Sequence, residues 1–168
     1  MSVDGVNTNA VSSSFPWDST TNSPQLMLAL LEMKLAETNK ASAMEGIKNI
    51  QDTNKEKELV AKLLNEARQS KADAKAKDTT TPMSKEMIQY MDSHKLAYDK
   101  TGNDYIHYSD EWDVAITSLQ SRLDSLGADT QTKMVQINDY MGQYNSYLQG
   151  ANSQISKAND ALTTIVRG

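Results

Sequence analysis

The sequence predicts an all-α protein, a long antiparallel helical hairpin or coiled coil with a small variable insertion between its two long helices. Three observations predict it. Apolar residues recur at alternating three- and four-residue spacings through the last third of the chain. Alanine, leucine, glutamate and lysine, all good helix formers, run through residues 24–77. Between these stretches lie Asp78-Thr79-Thr80-Thr81-Pro82 and Asp99-Lys100-Thr101-Gly102-Asn103, the punctuation of a short connector.

Residues 1–23 hold six Ser, three Thr and three Asn, with Asp4 and Asp18 as the only charged side chains. Such a segment has too little apolar surface to offset its ordering entropy and is expected to be a disordered tail. Phe15-Pro16-Trp17 is its one apolar feature.

The first long helix is expected over 24–77. Ser23 is placed to cap it and Pro24 to occupy its first position. Leu26, Met27, Leu28, Ala29, Leu30 and Leu31 make its first turns apolar on every side. A helix with water on one side carries a single stripe, so this one is expected to be surrounded. The stripe narrows to Met33, Ala36, Met44 and Ile47 and fades over Gln51–Glu58. It returns at Leu59, Val60, Leu63, Leu64 and Ala67. The polar gap reads either as an exposed stretch of one helix or as a break between two.

Residues 78–108 form the insertion. Thr81 is expected to cap, and Pro82 to start, a short helix near 82–94 with Met83, Met87, Ile88 and Met91 on one face. The Tyr-rich stretch from Leu96 to Tyr108 fits a small β-hairpin or an ordered loop.

The second long helix, 109–168, is capped by Ser109 or Asp110, with Asp110, Glu111 and Asp113 favourably placed on its dipole. Trp112, Ile116, Leu119, Leu123 and Leu126 follow a 4-3-4-3 spacing. Met134, Ile137, Met141, Tyr144, Leu148, Ala151, Ile155, Ala158, Leu162 and Ile165 alternate threes and fours. The two blocks join by an eleven-residue step at Gly127 and Asp129, where the pattern allows a kink or a break.

Bulk properties narrow the function. Net charge is −5, acidic and basic residues are interleaved, and no basic cluster exists, so neither nucleic acid nor an anionic membrane is the expected main partner. There is no cysteine, which excludes disulfides and thiolate metal sites. The six-residue apolar run 26–31 is far short of the roughly 20 residues of a membrane span, and the N-terminus lacks the pattern of a cleavable signal peptide.

Catalytic constellations are missing. His94 and His107 fall in different expected elements, no phosphate-binding glycine loop occurs, and the carboxylates are mixed with lysines, as in Lys55-Glu56-Lys57-Glu58. No catalytic, metal or cofactor-binding residues are expected, and the protein is read as non-enzymatic. Function is expected through binding. One long partner helix covers only one side of segment 26–31, which leaves apolar surface for other molecules. The candidate self-assembly and chaperone interface is Leu26, Met27, Leu28, Leu30, Leu31, Met134, Ile137, Met141, Tyr144, Leu148, Ile155, Leu162 and Ile165. The opposite face of the second helix carries Tyr140, Gln143, Asn145, Tyr147, Gln149, Asn152 and Asn159, an uncharged polar surface suited to repeated subunit contacts.

This layout resembles the EspA-like secreted translocator proteins of bacterial type III secretion systems, the family that includes SseB. The resemblance lies in the order of segments after residue 23. An apolar start, Gln25-Leu26-Met27-Leu28-Ala29-Leu30-Leu31, leads into an Ala/Lys/Asn-rich helix. Pro82 is followed by Glu86-Met87-Ile88-Gln89-Tyr90-Met91, similar to the family's proline and Val-Ile-x-Tyr pattern. Asp99–Tyr105 stands where the family has a Gly/Asp-rich variable region, and Ile116-Thr117-Ser118-Leu119-Gln120 opens a long Gln/Asn/Ser/Thr-rich coiled coil.

The resemblance implies a secreted structural protein forming a filament, sheath or tip on the secretion needle, a conduit for effectors and a platform for translocators. It implies export through the type III apparatus to the bacterial surface without signal-peptide cleavage, with residues 1–23 as the secretion signal. The implied partners are copies of the chain itself, a small cytosolic chaperone before export, the needle, and the pore-forming translocators. The chain is shorter than the familiar filament formers, and its apolar N-terminal run is less extended. Two alternatives stand beside this reading: a needle-tip cap of the LcrV/IpaD type, whose members usually carry a larger inserted domain, and a cytosolic coiled-coil chaperone or adaptor.

Overall fold

The computed structural model describes residues 23–167, so the expected disordered tail and Phe15-Pro16-Trp17 lie outside the described residues. Its elements in chain order are helix α1 (Pro24–Lys77), strand β1 (Thr81–Pro82), helix α2 (Lys85–Ser93), strand β2 (Ile106–His107) and helix α3 (Trp112–Arg167). The two long helices pack against each other, with the small sheet and α2 inserted between them in sequence, as the fold class required.

Helix α1 is one continuous element of 54 residues, so the polar gap at 51–58 is not a break. The Ser23 carbonyl accepts the first helical bond from Met27 N at 3.1 Å, which puts Pro24 at the first position, where no N–H is needed. The helix stops at Asp78, whose φ of 45° is left-handed. Asp78 N donates to Lys75 O and Thr79 N to Ala74 O, the paired bonds of a Schellman cap. Helix α2 ends the same way. Lys95 has φ 55°, its N–H bonds Asp92 O, and Leu96 N bonds Met91 O at 2.8 Å.

The insertion differs from expectation at two points. The cap of α2 is Ser84, whose hydroxyl accepts from Met87 N, and the helix begins at Lys85. Thr81 is occupied elsewhere: its hydroxyl donates to Ser70 O at 3.0 Å and accepts from Trp112 Nε1 at 2.9 Å, tying α1 to α3. Pro82 is in β1, not in the helix. The β pairing is also not local to 96–108. It joins the residues before α2 to those before α3, antiparallel, with Thr81 opposite His107 and Pro82 opposite Ile106. Proline is tolerated because a two-stranded ribbon leaves each strand with an edge that needs no donor. Met83 N extends the pairing to Tyr105 O at 2.7 Å.

The described residues divide into two compact units, to both of which the long helices contribute: Glu37–Tyr144, and residues 23–36 with 145–167. The core of the first contains Val60, Leu63, Leu64 and Ala67 of α1, then Met83, Met87, Tyr90, Met91 and Tyr98. From α3 it takes Trp112, Ala115, Leu119 and Leu126. His107 is buried edge-on to Trp112, with ring centroids 5.2 Å apart. Ile116 and Leu123 are half-buried against the same cluster. Helix α3 begins at Trp112, just after Glu111, whose carboxylate accepts from Tyr108 N at 2.7 Å. It then runs 56 residues without interruption, through Gly127.

The polar gap of α1 is met by polar partners. Glu56 Oε1 accepts from Tyr90 Oη at 2.7 Å and from Arg122 at 2.6 Å and 3.1 Å, with His94 Nε2 3.4 Å away. His94 stacks on Tyr90 with centroids 4.1 Å apart. Burial pushes the Glu56 carboxyl up, but the hydrogen bonds from Tyr90 and Arg122 and the guanidinium charge outweigh it and hold the group below its usual value. The Tyr90 phenol is pushed up to about 12, by burial first and then by its bond to Glu56. One turn away, Thr53 is buried, donating to Asn49 O at 2.8 Å and accepting from Lys133 Nζ at 3.3 Å.

Candidate assembly surface

In the unit formed by residues 23–36 and 145–167, the buried apolar residues are all alanines: Ala29 and Ala36 on α1, Ala151 and Ala158 on α3. Both pairs are seven residues apart, the heptad spacing that keeps one line of a helix against its neighbour. The approach is close enough that a Cβ added at Gly150 would come within 2.7 Å of the Glu32 carboxylate. One oxygen of that carboxylate is shielded from water and accepts no hydrogen bond among the described residues.

A seam of small residues displaces the large ones to its flanks. Met27, Leu28, Leu30, Leu31, Met33 and Leu35 are all exposed, Leu31 at 55 %, and Leu26 is half-buried. On α3 of this unit Leu148 is half-buried and Ile155 exposed, and Leu162 and Ile165 are exposed at 57 % and 76 %. In the other unit Ile137 is buried, Tyr144 half-buried, and Met134 and Met141 exposed. Ile137 fits because Gly46 faces it: a Cβ there would stand 2.8 Å from Ile137 Cγ1.

The stripe expected on α1 is corrected accordingly. Of its four residues Ala36 is buried, whereas Met33, Met44 and Ile47 are exposed, and the buried line is Ala29, Ala36 and Ala43. The heptad was visible as alanine every seven residues, but alanine weighs little in a search for apolar periodicity. Gly46 and Gly150 carry no signal in the sequence, since only the facing helix gives them a role. Tyr140 and Tyr147 are half-buried, whereas Gln143, Asn145, Gln149, Asn152 and Asn159 are exposed, so the uncharged polar face is largely open.

Among the described residues no three His, Cys, Asp or Glu are grouped so as to hold a metal ion, and no helix is long and apolar enough to cross a membrane. Comparison with protein families, with curated proteins and with solved structures finds no match.

Proposed function

We propose that this chain is a secreted structural protein that self-assembles through its helices into an extracellular filament, sheath or tip of a type III secretion needle, where effectors pass and translocators dock. The observation that carries the reading is the segregation just described. A two-helix unit that fully hides only alanines and leaves most of its leucines and methionines exposed gains by adding helices from other copies, since burying such a side chain is worth roughly 1.5–3 kcal/mol. Before export the same surface requires a cover, which is the role of a small cytosolic chaperone. The order of segments quoted for the EspA-like family supplies the secretion context.

Two measurements test this. Purified protein is expected to form fibres or closed oligomers in negative-stain electron microscopy, and an open helix rather than a closed ring separates a filament from a tip cap. Expressed in a bacterium with an active type III apparatus, the chain is expected in the culture supernatant, and deletion of residues 1–20 is expected to retain it in the cell. A wild-type protein that stays monomeric at high concentration without a chaperone, or one never exported, ends the reading.

A further inference from the structure

The antiparallel register within the alanine-seamed unit leaves one end of α3 without a neighbour among the described residues. Glu32 stands over Gly150, so Pro24, eight residues earlier, falls level with Ala158, eight residues later. Ala158 is buried, and every residue from Asn159 to Arg167 is exposed. These nine residues carry α3 about 13 Å past the start of α1. They are still helical and strongly apolar on one side: Ala161, Leu162, Ile165 and Val166 lie within roughly 140° of the circumference at 3.6 residues per turn. Val166 is 84 % exposed.

The outer flank of α1 is the counterpart. Met27, Leu28 and Leu31 are exposed and spaced i, i+1, i+4, the same spacing as Ala161, Leu162 and Ile165. Neither 26–31 nor 161–166 contains a charged residue. No partner of opposite charge is therefore specified, and no like-charge repulsion opposes the meeting of two copies. A second copy brings both stripes out of water in a single contact.

We propose that the terminal turns of α3 of one copy dock on the Met27, Leu28 and Leu31 flank of α1 of a second copy. The contact joins two different surfaces, so it is heterologous, and each copy keeps one free flank and one free overhang from which the assembly grows. This inference rests on the self-assembly reading and specifies the joint.

Two variants of the full chain test it: Leu162→Asp with Ile165→Asp on the overhang, and Leu28→Asp with Leu31→Asp on the flank. These side chains are exposed in the single chain, so circular dichroism and the thermal midpoint of each variant at low concentration are expected to match the wild type. Each variant alone is expected to lose at least tenfold in sedimentable assembly. Mixed, they retain one intact overhang and one intact flank between them, so light scattering after gel filtration is expected to find a one-to-one heterodimer that grows no further. A mixture that stays monomeric overturns the joint, as does continued assembly by either variant. A marked fall in the thermal midpoint of the overhang variant does too, because it places the stripe under residues of the same chain. A wild type that does not assemble at all sinks the self-assembly reading itself, whereas an assembling wild type with assembling variants sinks the joint alone.

Discussion

Replacing Glu56 with Gln tests whether the polar clasp holds the three helices of its unit together. The substitution keeps size and one acceptor oxygen and removes the charge. Hydrogen bonds to charged groups contribute about 1.5–3 kcal/mol, and neutral ones about 0.5–1.5. Two partners, Tyr90 and Arg122, donate to the same oxygen at 2.6–2.7 Å, so losing the charge removes about 1 kcal/mol from each bond. The side chains of Glu56 and Arg122 are still 27 % and 29 % exposed, and solvent screening lowers the total to about 1.5 kcal/mol. The measurement is urea and thermal unfolding at pH 7, each followed by Trp112 fluorescence in a Trp17→Phe background. The expected fall in thermal midpoint is roughly 3–6 °C for a chain of this size. Coupling to Arg122→Met in a double-mutant cycle is expected at about 1 kcal/mol. A loss below about 0.3 kcal/mol with no coupling would show that the clasp is a solvated surface cluster and that α2 is held by its methionines alone.

Titration of the same clasp has a definite sign. The Glu56 carboxyl is held below its ordinary value of 4.5, so its contribution is complete above that pH and declines as pH falls through the lowered value; the decline is expected to be shallower in Glu56→Gln. The Tyr90 phenol, raised from 10.0 to about 12, contributes stability that is complete below pH 10 and lost as pH rises towards 12, a loss that Tyr90→Phe is expected to abolish in alkaline unfolding curves. Glycines at two positions in the long helices are expected to respond oppositely to alanine. Gly127→Ala meets nothing within 4 Å and is expected to stabilise by about 0.5–1 kcal/mol, whereas Gly46→Ala drives a methyl into Ile137 and is expected to destabilise by about 1 kcal/mol in urea titrations. Lys95→Gly relieves a left-handed φ of 55° at the end of α2 and is expected to gain about 1 kcal/mol; an unchanged midpoint would mean the cap carries no strain.

Helix-forming composition behind a Ser-Pro start was sufficient for α1 and three-four periodicity for α3, because propensity and pattern summed over 54 and 56 residues average out local noise. Neither was sufficient for the insertion. Thr81-Pro82 has the form of a helix start, and only the proximity of Ser70 and Trp112 diverts the threonine hydroxyl into bridging α1 and α3. The four residues of β1 and β2 are joined across α2, a pairing that no local pattern encodes.

What the sequence alone determined is the presence of two long amphipathic helices with more apolar surface than one partner helix covers. The tertiary structure decided which of those residues face inward. Two helices close enough for Glu32 to stand over Gly150 leave little room between them for more than alanine, so Ala29, Ala36, Ala151 and Ala158 took the seam and most of the large apolar side chains were left on its flanks. The choice belongs to the pair, because the distance between two helix axes is set by both surfaces at once and is written in neither segment by itself.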